Sequence, residues 1–311
     1  MLRRLLAMAV ALLLLAGCAT QTRALLAVPR GGPHQQELSS TPFYAQERYQ
    51  CGPAALAMLL GSAGIEASPE ALVPEVYLPG REGSLQIELL AAGRHHGALV
   101  APIQPRLDGL LAELDAGHPV LVLQNLSLPI MPMWHYAVVI GYDIDNGDVI
   151  LRSGTTRRMT MSLSIFEHTW SRSGFWGMVA LAPGQLPAST GLAEMQTALV
   201  DYEKAVPPQS AQLAYRAALQ RWPDTLALQL GVGNSAYASG DRTTAAEAYR
   251  SAASAHPDNG AAFNNLAVVL GELGQLDEAR AAAQTAIKLG GPWRDEALAT
   301  LRALPEPAAA H

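Results

Sequence analysis

The sequence predicts an α+β domain followed by an all-α repeat domain. Between residues 41 and 182, helical patterns come first and patterns typical of antiparallel strands follow. From residue 192 onward the composition shifts to alanine, and equivalent residue types begin to recur at a fixed period. Residues 183–191, rich in Pro, Gly, Ser and Ala, form the predicted linker. A chain of 311 residues, 50% of them hydrophobic, is long enough for two such domains.

Residues 1–17 have the pattern of a signal peptide. Two arginines precede an apolar run that is too short for a standard membrane span and ends Leu15-Ala16-Gly17-Cys18. This ending resembles the lipobox of bacterial lipoproteins, which implies that Cys18 becomes the lipidated N-terminus. Ala19, rather than Asp, follows it, which by analogy implies the periplasmic side of the outer membrane. An ordinary signal peptide or an uncleaved anchor is the alternative.

Residues 18–40 show little periodicity and are predicted to be a tether from the membrane to the first domain. The formal net charge is −6 and no run of Lys or Arg occurs, so nothing indicates nucleic-acid binding. The sequence contains no phosphate-binding glycine loop and no metal-binding cluster, so we expect neither a cofactor nor a metal. His95 and His96 end a predicted helix, where a cation suits the helix dipole, and we interpret them as structural or solvated.

The elements of the first domain follow from apolar patterning and from turn residues. Asp145-Asn146-Gly147 predicts a hairpin turn. Ser68 and Ser84 are positioned to cap the helices that follow them. The predicted helices begin at Cys51 and Pro69 and span Leu85–His95, Leu107–Ala116 and Ile165–Trp170; the predicted strands are Ala98–Ile103, His118–Gln124, Trp134–Asp143, Asp148–Arg152, Arg157–Met161 and Phe175–Leu181.

Cys51 lies where an extended segment meets an apolar helix, with Pro53 in the first turn. A thiol at a helix N-terminus faces unpaired N–H groups and the positive end of the macrodipole, so we expect its thiolate to be stabilised. Of the two cysteines, Cys18 would carry lipid, which leaves Cys51 without a disulfide partner in an oxidising compartment. Cys51 is therefore either a nucleophile or a buried structural residue.

A cysteine nucleophile needs a base, and His135 is the best candidate. It stands at the start of a hydrophobic strand pattern, where its ring can be held at the edge of a sheet. The alternative is a histidine that is simply satisfied within the core.

Two motifs carry a family resemblance. Gln46 to Leu60 contains Gln…Cys-Gly-Pro-Ala-Ala-Leu, and residues 135–142 read His-Tyr-x-Val-Val-x-Gly-Tyr. Residues 40–182 thereby resemble the C39 branch of the papain-like cysteine peptidases. The resemblance implies a papain-like α+β fold, Cys51 as nucleophile, His135 as base and Gln46 as oxyanion donor. Gln46 lies five residues before Cys51 where the family usually shows six, and Gln50 is the alternative donor.

The third member of the site departs from the family pattern. The family places an Asp, usually followed by Pro, at the end of the strand that comes after the His strand. Ser153 stands at that place. A serine can accept a hydrogen bond from the imidazole, but it offers no charge to stabilise imidazolium. Asp143, Asp145 and Asp148 are nearby in sequence, but they fall on the predicted hairpin and are interpreted as turn residues.

The alanine-rich region resembles tetratricopeptide repeats, whose period is about 34 residues. Pro223 and Pro257 obey this period, as do Tyr215 and Tyr249 and the pairs Gly240/Gly274, Ala245/Ala279 and Ala252/Ala286. The predicted repeats are 192–225, 226–259 and 260–293, and a capping helix follows to complete a domain over 192–305. The first repeat departs from the pattern at Pro207-Pro208. Such solenoids offer a concave surface for a protein partner.

Together these patterns favour a membrane-tethered periplasmic cysteine peptidase that acts on a peptide or protein substrate, with repeats that bind a protein partner. A second hypothesis is a catalytically weak or inactive peptide-binding scaffold, because Ser153 replaces the expected carboxylate. Acyl transfer to an amine would use the same residues. A carboxylate that reaches His135 from elsewhere would favour the enzyme, and its absence would favour the scaffold.

Overall fold

The computed structural model describes residues 19–29, 31–45 and 50–305. The predicted signal peptide over residues 1–17, the lipidation site Cys18 and the proposed oxyanion donor Gln46 all lie outside these residues. The chain divides into two units: the first extends to Ala182 and includes Pro187–Ala198, and the second joins Pro183–Leu186 to the chain from Leu199 onward. Within the described ranges, every helix is too short or too polar to span a bilayer.

The first unit contains seven strands and six complete helices among its described residues. The strands are β1 (Gln35–Glu37), β2 (Leu99–Pro102), β3 (Val120–Asn125), β4 (Trp134–Asp143), β5 (Asp148–Ser153), β6 (Thr156–Ser162) and β7 (Gly177–Leu181). The helices are α1 (Thr20–Ala27), α2 (Cys51–Ser62), α3 (Pro69–Val76), α4 (Gln86–His95), α5 (Leu107–Asp115) and α6 (Leu163–Ser171).

One antiparallel sheet forms the centre of this unit. Its strands lie in the order β2-β7-β3-β4-β5-β6, and β1 adds to β4 beside this path. The register between β3 and β4 places His135 opposite Gln124. The α+β class is confirmed, because most helices precede the antiparallel strands in the chain.

Both faces of the sheet are covered, as the alternation along β4 shows. Tyr136, Val138 and Ile140 belong to the core formed with α2. Ala137 and Val139 belong to the core on the other face, formed with α5 and α6. The apolar run in β4 thus has a packing reason, since a strand buried on both faces needs apolar residues at successive positions.

The predicted tether over residues 18–40 is wrong for much of its length. Residues 20–27 form α1, and β1 pairs with the end of β4, where Gln36 lies opposite Tyr142. The approach is so close that a Cβ at Gly141 would lie 2.3 Å from the Gln36 carbonyl oxygen. The glycine of the His-Tyr-x-Val-Val-x-Gly-Tyr motif therefore admits β1 to the sheet.

The second unit is built from helical pairs, as the periodic sequence predicts. Its helices, together with the one that leads into it, are α7 (Leu192–Glu203), α8 (Pro208–Arg221), α9 (Leu226–Ala238), α10 (Arg242–Ala255), α11 (Gly260–Glu272), α12 (Leu276–Leu289) and the terminal α13 (Arg294–Ala303). The division between the units falls inside α7, after Ala198, whereas the sequence predicts the repeat domain from residue 192.

The periodic small residues form the core of this unit. Ala245, Ala252, Ala279 and Ala286 are all fully buried. Three residues separate the helices in each of the last two pairs, but four separate α7 from α8, where Pro207 precedes the first residue of α8. The departure predicted for the first repeat is therefore a longer turn, and its helices still form.

Candidate active site

Cys51 is the first residue of α2. The following residues from Gly52 to Leu60 are buried, so the helix is fixed in the core and its first residue is held at the edge of a cleft. Helix propensity is favourable throughout this alanine- and leucine-rich run. The N-cap is Gln50, whose side chain forms no capping hydrogen bond.

The thiol of Cys51 lies among backbone donors. The N–H groups of Cys51, Gly52 and Tyr136 all act on the sulfur and favour the thiolate. Burial acts more strongly in the opposite direction, and the net effect raises the pKa of the Cys51 thiol. The expected stabilisation of the thiolate at this helix N-terminus is therefore present, but desolvation outweighs it.

Gly52 allows a neighbouring loop to pack against the first turn of α2. A Cβ at this position would lie 2.3 Å from the Ser84 Oγ. Ser84 does not cap α4 as the sequence suggests, because the N-cap residue is Leu85. The Ser84 hydroxyl is instead buried without a hydrogen-bond partner in the described structure. Its carbonyl oxygen accepts a hydrogen bond from the Tyr136 hydroxyl at 3.1 Å.

His135 is the second residue of β4, and its backbone pairs with Gln124 on the neighbouring strand β3. Burial lowers the pKa of its imidazole, because the charged form is poorly solvated there. The ring is thus biased toward the neutral form, which is the form that can accept a proton. The Nε2 atom lies 2.9 Å from the Ser153 Oγ.

Ser153 is the last residue of β5 and is buried, with 7% of its surface exposed. Its contact with His135 occupies the place where the family resemblance leads one to expect Asp. Asp143 bonds to Gln35 and Asn146, and Asp145 bonds to His34. Asp148 lies at the opposite end of β5 from Ser153. Among the described residues, none of these carboxylates hydrogen-bonds to His135, and burial alone shifts the pKa of its ring.

Cys51 and His135 line the same cleft, whose volume is about 1070 Å³. Tyr136, the residue after His135, also lies close to Cys51. Its backbone N–H acts on the Cys51 thiol. Burial raises the pKa of the Tyr136 phenol, and the charge of Cys51 raises it further. Met133 and Trp134 contribute apolar side chains to the lining of this cleft, and Arg81 and Arg172 contribute cationic ones.

The structure thus brings together Cys51, His135 and Ser153 of the predicted site, while Gln46 lies outside the described residues. Sequence reasoning missed Ser84 and Tyr136 as partners of the site. Two sequence features hinted at them: Gly83-Ser84 is a pair of small residues just before a predicted helix, and Tyr136 directly follows His135 in the second motif.

A second cluster of titratable groups lies away from the cleft. Glu75 on α3 accepts a hydrogen bond from His95 Nδ1 at 3.0 Å and from His96 Nε2 at 2.9 Å. The ligand-capable atoms of these three residues lie within 4.8 Å of one another. Burial of Glu75 is outweighed by these two histidines, which hold its pKa below the usual value. The histidine pair is therefore satisfied by an acidic neighbour on another helix.

Comparison with known proteins gives two family matches. Residues 38–178 match the model of the Peptidase_C39 like family, and residues 230–292 match the tetratricopeptide repeat model. A solved structure from Bacillus anthracis described as a putative C39-like peptidase shares 19% identity with a TM-score of 0.40, over 47% of this chain and 97% of that one. No curated protein sequence matches the chain. The chain is thus similar to C39-like peptidases within its first unit and to tetratricopeptide repeats within its second.

Proposed function

We propose that the first unit hydrolyses peptide bonds with Cys51 as nucleophile and His135 as general base. The observation that carries this proposal is the shared cleft: both side chains line it, and the thiol lies against the backbone N–H of the residue that follows His135. A nucleophile and a base within reach of each other, with a third group on the base, are the required parts of such a site.

Ser153 selects the nitrogen that acts. With Nε2–H donating to the Ser153 hydroxyl oxygen, the lone pair of Nδ1 is left to take the thiol proton. The sulfur then forms a bond to the substrate carbonyl carbon, and the imidazolium returns the proton to the amine nitrogen as the C–N bond breaks. Water, deprotonated by His135, attacks the resulting thioester, and the sulfur leaves and regains its proton.

The oxyanion formed in each step needs hydrogen-bond donors. The N–H groups of Cys51 and Gly52, which already act on the sulfur, lie at the start of α2, where no intrahelical acceptor uses them. The family resemblance adds the Gln46 side chain. Acylation of an amine in place of water would use the same groups.

The resting pair is uncharged in this proposal. Burial raises the thiol pKa and lowers the imidazole pKa, so the thiol and the neutral ring are both favoured near pH 7. Because the neutral Ser153 does not stabilise imidazolium, His135 has to act as a base during attack rather than as half of a preformed ion pair.

Because the group that contacts His135 is the neutral Ser153, a second function is also favoured: a scaffold that binds peptides without cutting them. Its specific support is that none of the described carboxylates hydrogen-bonds to His135. In either case the chain is proposed to be tethered by lipid at Cys18 to the periplasmic side of the outer membrane, and the repeats are proposed to bind a protein partner.

Digestion of a peptide library by the full chain separates the two functions, with Cys51→Ala as the matched control. Peptidolysis predicts new N-termini with wild type and none with Cys51→Ala. If neither wild type nor Cys51→Ala cuts, but both immobilised proteins bind the same peptides, the scaffold is supported and the hydrolase is excluded.

A further inference from the structure

An exposed apolar loop stands beside the active-site cleft. Residues 126–134 contain no charged side chain. Ile130 is 86% exposed, Met131 74% and Leu128 62%, and Leu126, Met133 and Trp134 are exposed as well. So large an apolar surface on one short loop is uncommon on a soluble protein and marks a contact with a partner or a membrane.

This apolar loop is a formed structure with satisfied polar groups at its base. The Asn125 Oδ1 accepts hydrogen bonds from the N–H groups of Ser127 at 3.1 Å and Met133 at 2.9 Å. Arg172 donates to the carbonyl oxygens of Asn125, at 2.8 Å, and Ser127. The backbone is thus held at the stem while the apolar side chains project outward, so their exposure is a built feature of the fold.

The start of the described chain lies near the same part of the molecule. The N–H groups of Gln21 and Thr22, in the first turn of α1, donate to the Glu167 carboxylate at 3.0 and 2.7 Å. Glu167 lies on α6, only five residues before Arg172 at the loop stem, or about 7.5 Å along a helix axis. Cys18, the proposed lipid site, immediately precedes Ala19.

We infer that the apolar loop inserts into the surface of the bilayer that holds the lipid anchor. A lipid at Cys18 would bring the bilayer to the start of α1 and hence to the neighbourhood of the loop stem. Trp134 suits the interface between headgroups and acyl chains, the aliphatic tip suits the acyl chains, and the cationic Arg172 at the stem suits anionic headgroups.

This contact would also define the class of substrate. Met133 and Trp134 line the cleft that holds Cys51, so a loop seated in the bilayer places the mouth of the cleft at the membrane surface. Substrates would then be polypeptide segments presented at that surface. The inference rests on the lipid anchor of the proposed function, and the experiment below separates the two.

Tryptophan quenching tests the contact with the full chain in vesicles of phosphatidylethanolamine and phosphatidylglycerol that contain brominated acyl chains. The chain has five tryptophans, and Trp293, which is 38% exposed in the second unit, provides the matched control. We expect lipid-dependent quenching to fall at least twofold in Trp134→Phe and to stay unchanged in Trp293→Phe. The double variant Ile130→Asp/Met131→Asp, which retains Trp134, should lose the quenching as well.

Mass spectrometry of the mature N-terminus distinguishes the outcomes. A lipidated, vesicle-bound chain that is quenched equally with and without Trp134 overturns the loop contact and leaves the anchor. A chain without lipid whose Trp134 is still quenched overturns the anchor and supports the loop contact. If Trp134 emission responds to an apolar peptide but not to brominated lipid, the loop is a substrate surface and the membrane contact is overturned.

Discussion

The first unit buries charged side chains inside its core, whereas the described part of the second unit buries only neutral ones. Glu113 and Arg152 are almost fully enclosed in the first unit, while the buried polar residues of the second are Gln229, Ser235 and Asn264. A buried charge has to be paired or hydrogen-bonded, so each one constrains several distant segments at once. The second unit instead relies on repeated close contacts between alanines.

This difference explains where chemistry can reside. The proposed catalytic site needs particular side chains from several elements, and Cys51, His135 and Ser153 come from α2, β4 and β5. In the second unit one contact pattern recurs in each repeat, and repeats of this kind generally bind partners through the surface that the pattern presents.

Replacing His135 by Ala should remove the base and reduce kcat/KM for peptide cleavage by about 10²–10⁴-fold. Steady-state cleavage of a peptide identified by the library digestion measures this effect. The matched control is His34→Ala, because His34 is an exposed histidine that bonds to Asp145. Equal activity in the two variants would show that His135 is not the base.

Replacing Glu113 by Gln should destabilise the first unit by about 1.5–3 kcal/mol near pH 7, the usual contribution of hydrogen bonds to a charged group. Burial opposes ionisation of Glu113, but hydrogen bonds from His118, Ala188 and Ser189 outweigh it and hold its pKa below the usual value. The folded pKa is therefore lower than the unfolded one. The stabilisation is present above the unfolded pKa and is lost as pH falls through the folded pKa.

Urea unfolding followed by tryptophan fluorescence measures the stability of this unit for wild type and Glu113→Gln, because Trp170 is fully buried in its core. The difference between the two should be large at pH 7 and should shrink in acid. A penalty that does not change between pH 7 and pH 3 would contradict the assignment of a charged carboxylate. The exposed Glu247→Gln, in the second unit, should match wild type at both values.

Replacing Ala283 by Leu should overpack the repeats and reduce the free energy of unfolding of the second unit by about 1–3 kcal/mol. Ala283 is fully buried, and Ala281 on the same helix is exposed and provides the control Ala281→Leu. Thermal unfolding followed by circular dichroism measures the loss. The rate of Cys51 alkylation in the native protein should stay at the wild-type value, and a change would mean that the repeats influence the cleft.

Replacing Ser153 by Asp should supply the missing charge next to His135. An opposite charge at hydrogen-bond distance raises the pKa of an imidazole by about 1–3 units, which favours the thiolate–imidazolium pair. Alkylation of Cys51 by iodoacetamide at pH 7 should therefore accelerate by about tenfold or more. Ser153→Asn preserves a hydrogen-bond partner without the charge and should stay close to wild type; equal acceleration in both variants would contradict the electrostatic explanation.

Periodicity accounts for most of what the sequence predicted about the second unit. Ala245, Ala252, Ala279 and Ala286 recur at the repeat period because equivalent positions meet equivalent neighbours, and all four are buried. The same local logic predicted β4 over Trp134–Asp143 with the bounds that the structure has.

Contacts between segments far apart in the chain could not be predicted from the sequence. β1 joins the sheet through Gly141, far away along the chain, and nothing in the polar stretch around Gln36 indicates a strand. The raised pKa of Cys51 has the same origin, because the helix N-terminus is a local feature whereas the burial that outweighs it comes from packing against the core. The hydrogen bond between His135 and Ser153 was predicted only as a position in a family pattern.

The pH dependence of peptide cleavage by the full chain tests the central claim most directly, since that claim is a Cys51–His135 pair that rests uncharged. A thiol whose pKa is raised and an imidazole whose pKa is lowered keep the neutral pair dominant around pH 7. Cleavage should therefore increase in the acid range as His135 loses its proton, stay level through neutrality, and be absent from Cys51→Ala throughout. Cleavage that is maximal in acid, where His135 would be protonated, or that survives in Cys51→Ala, would contradict the account.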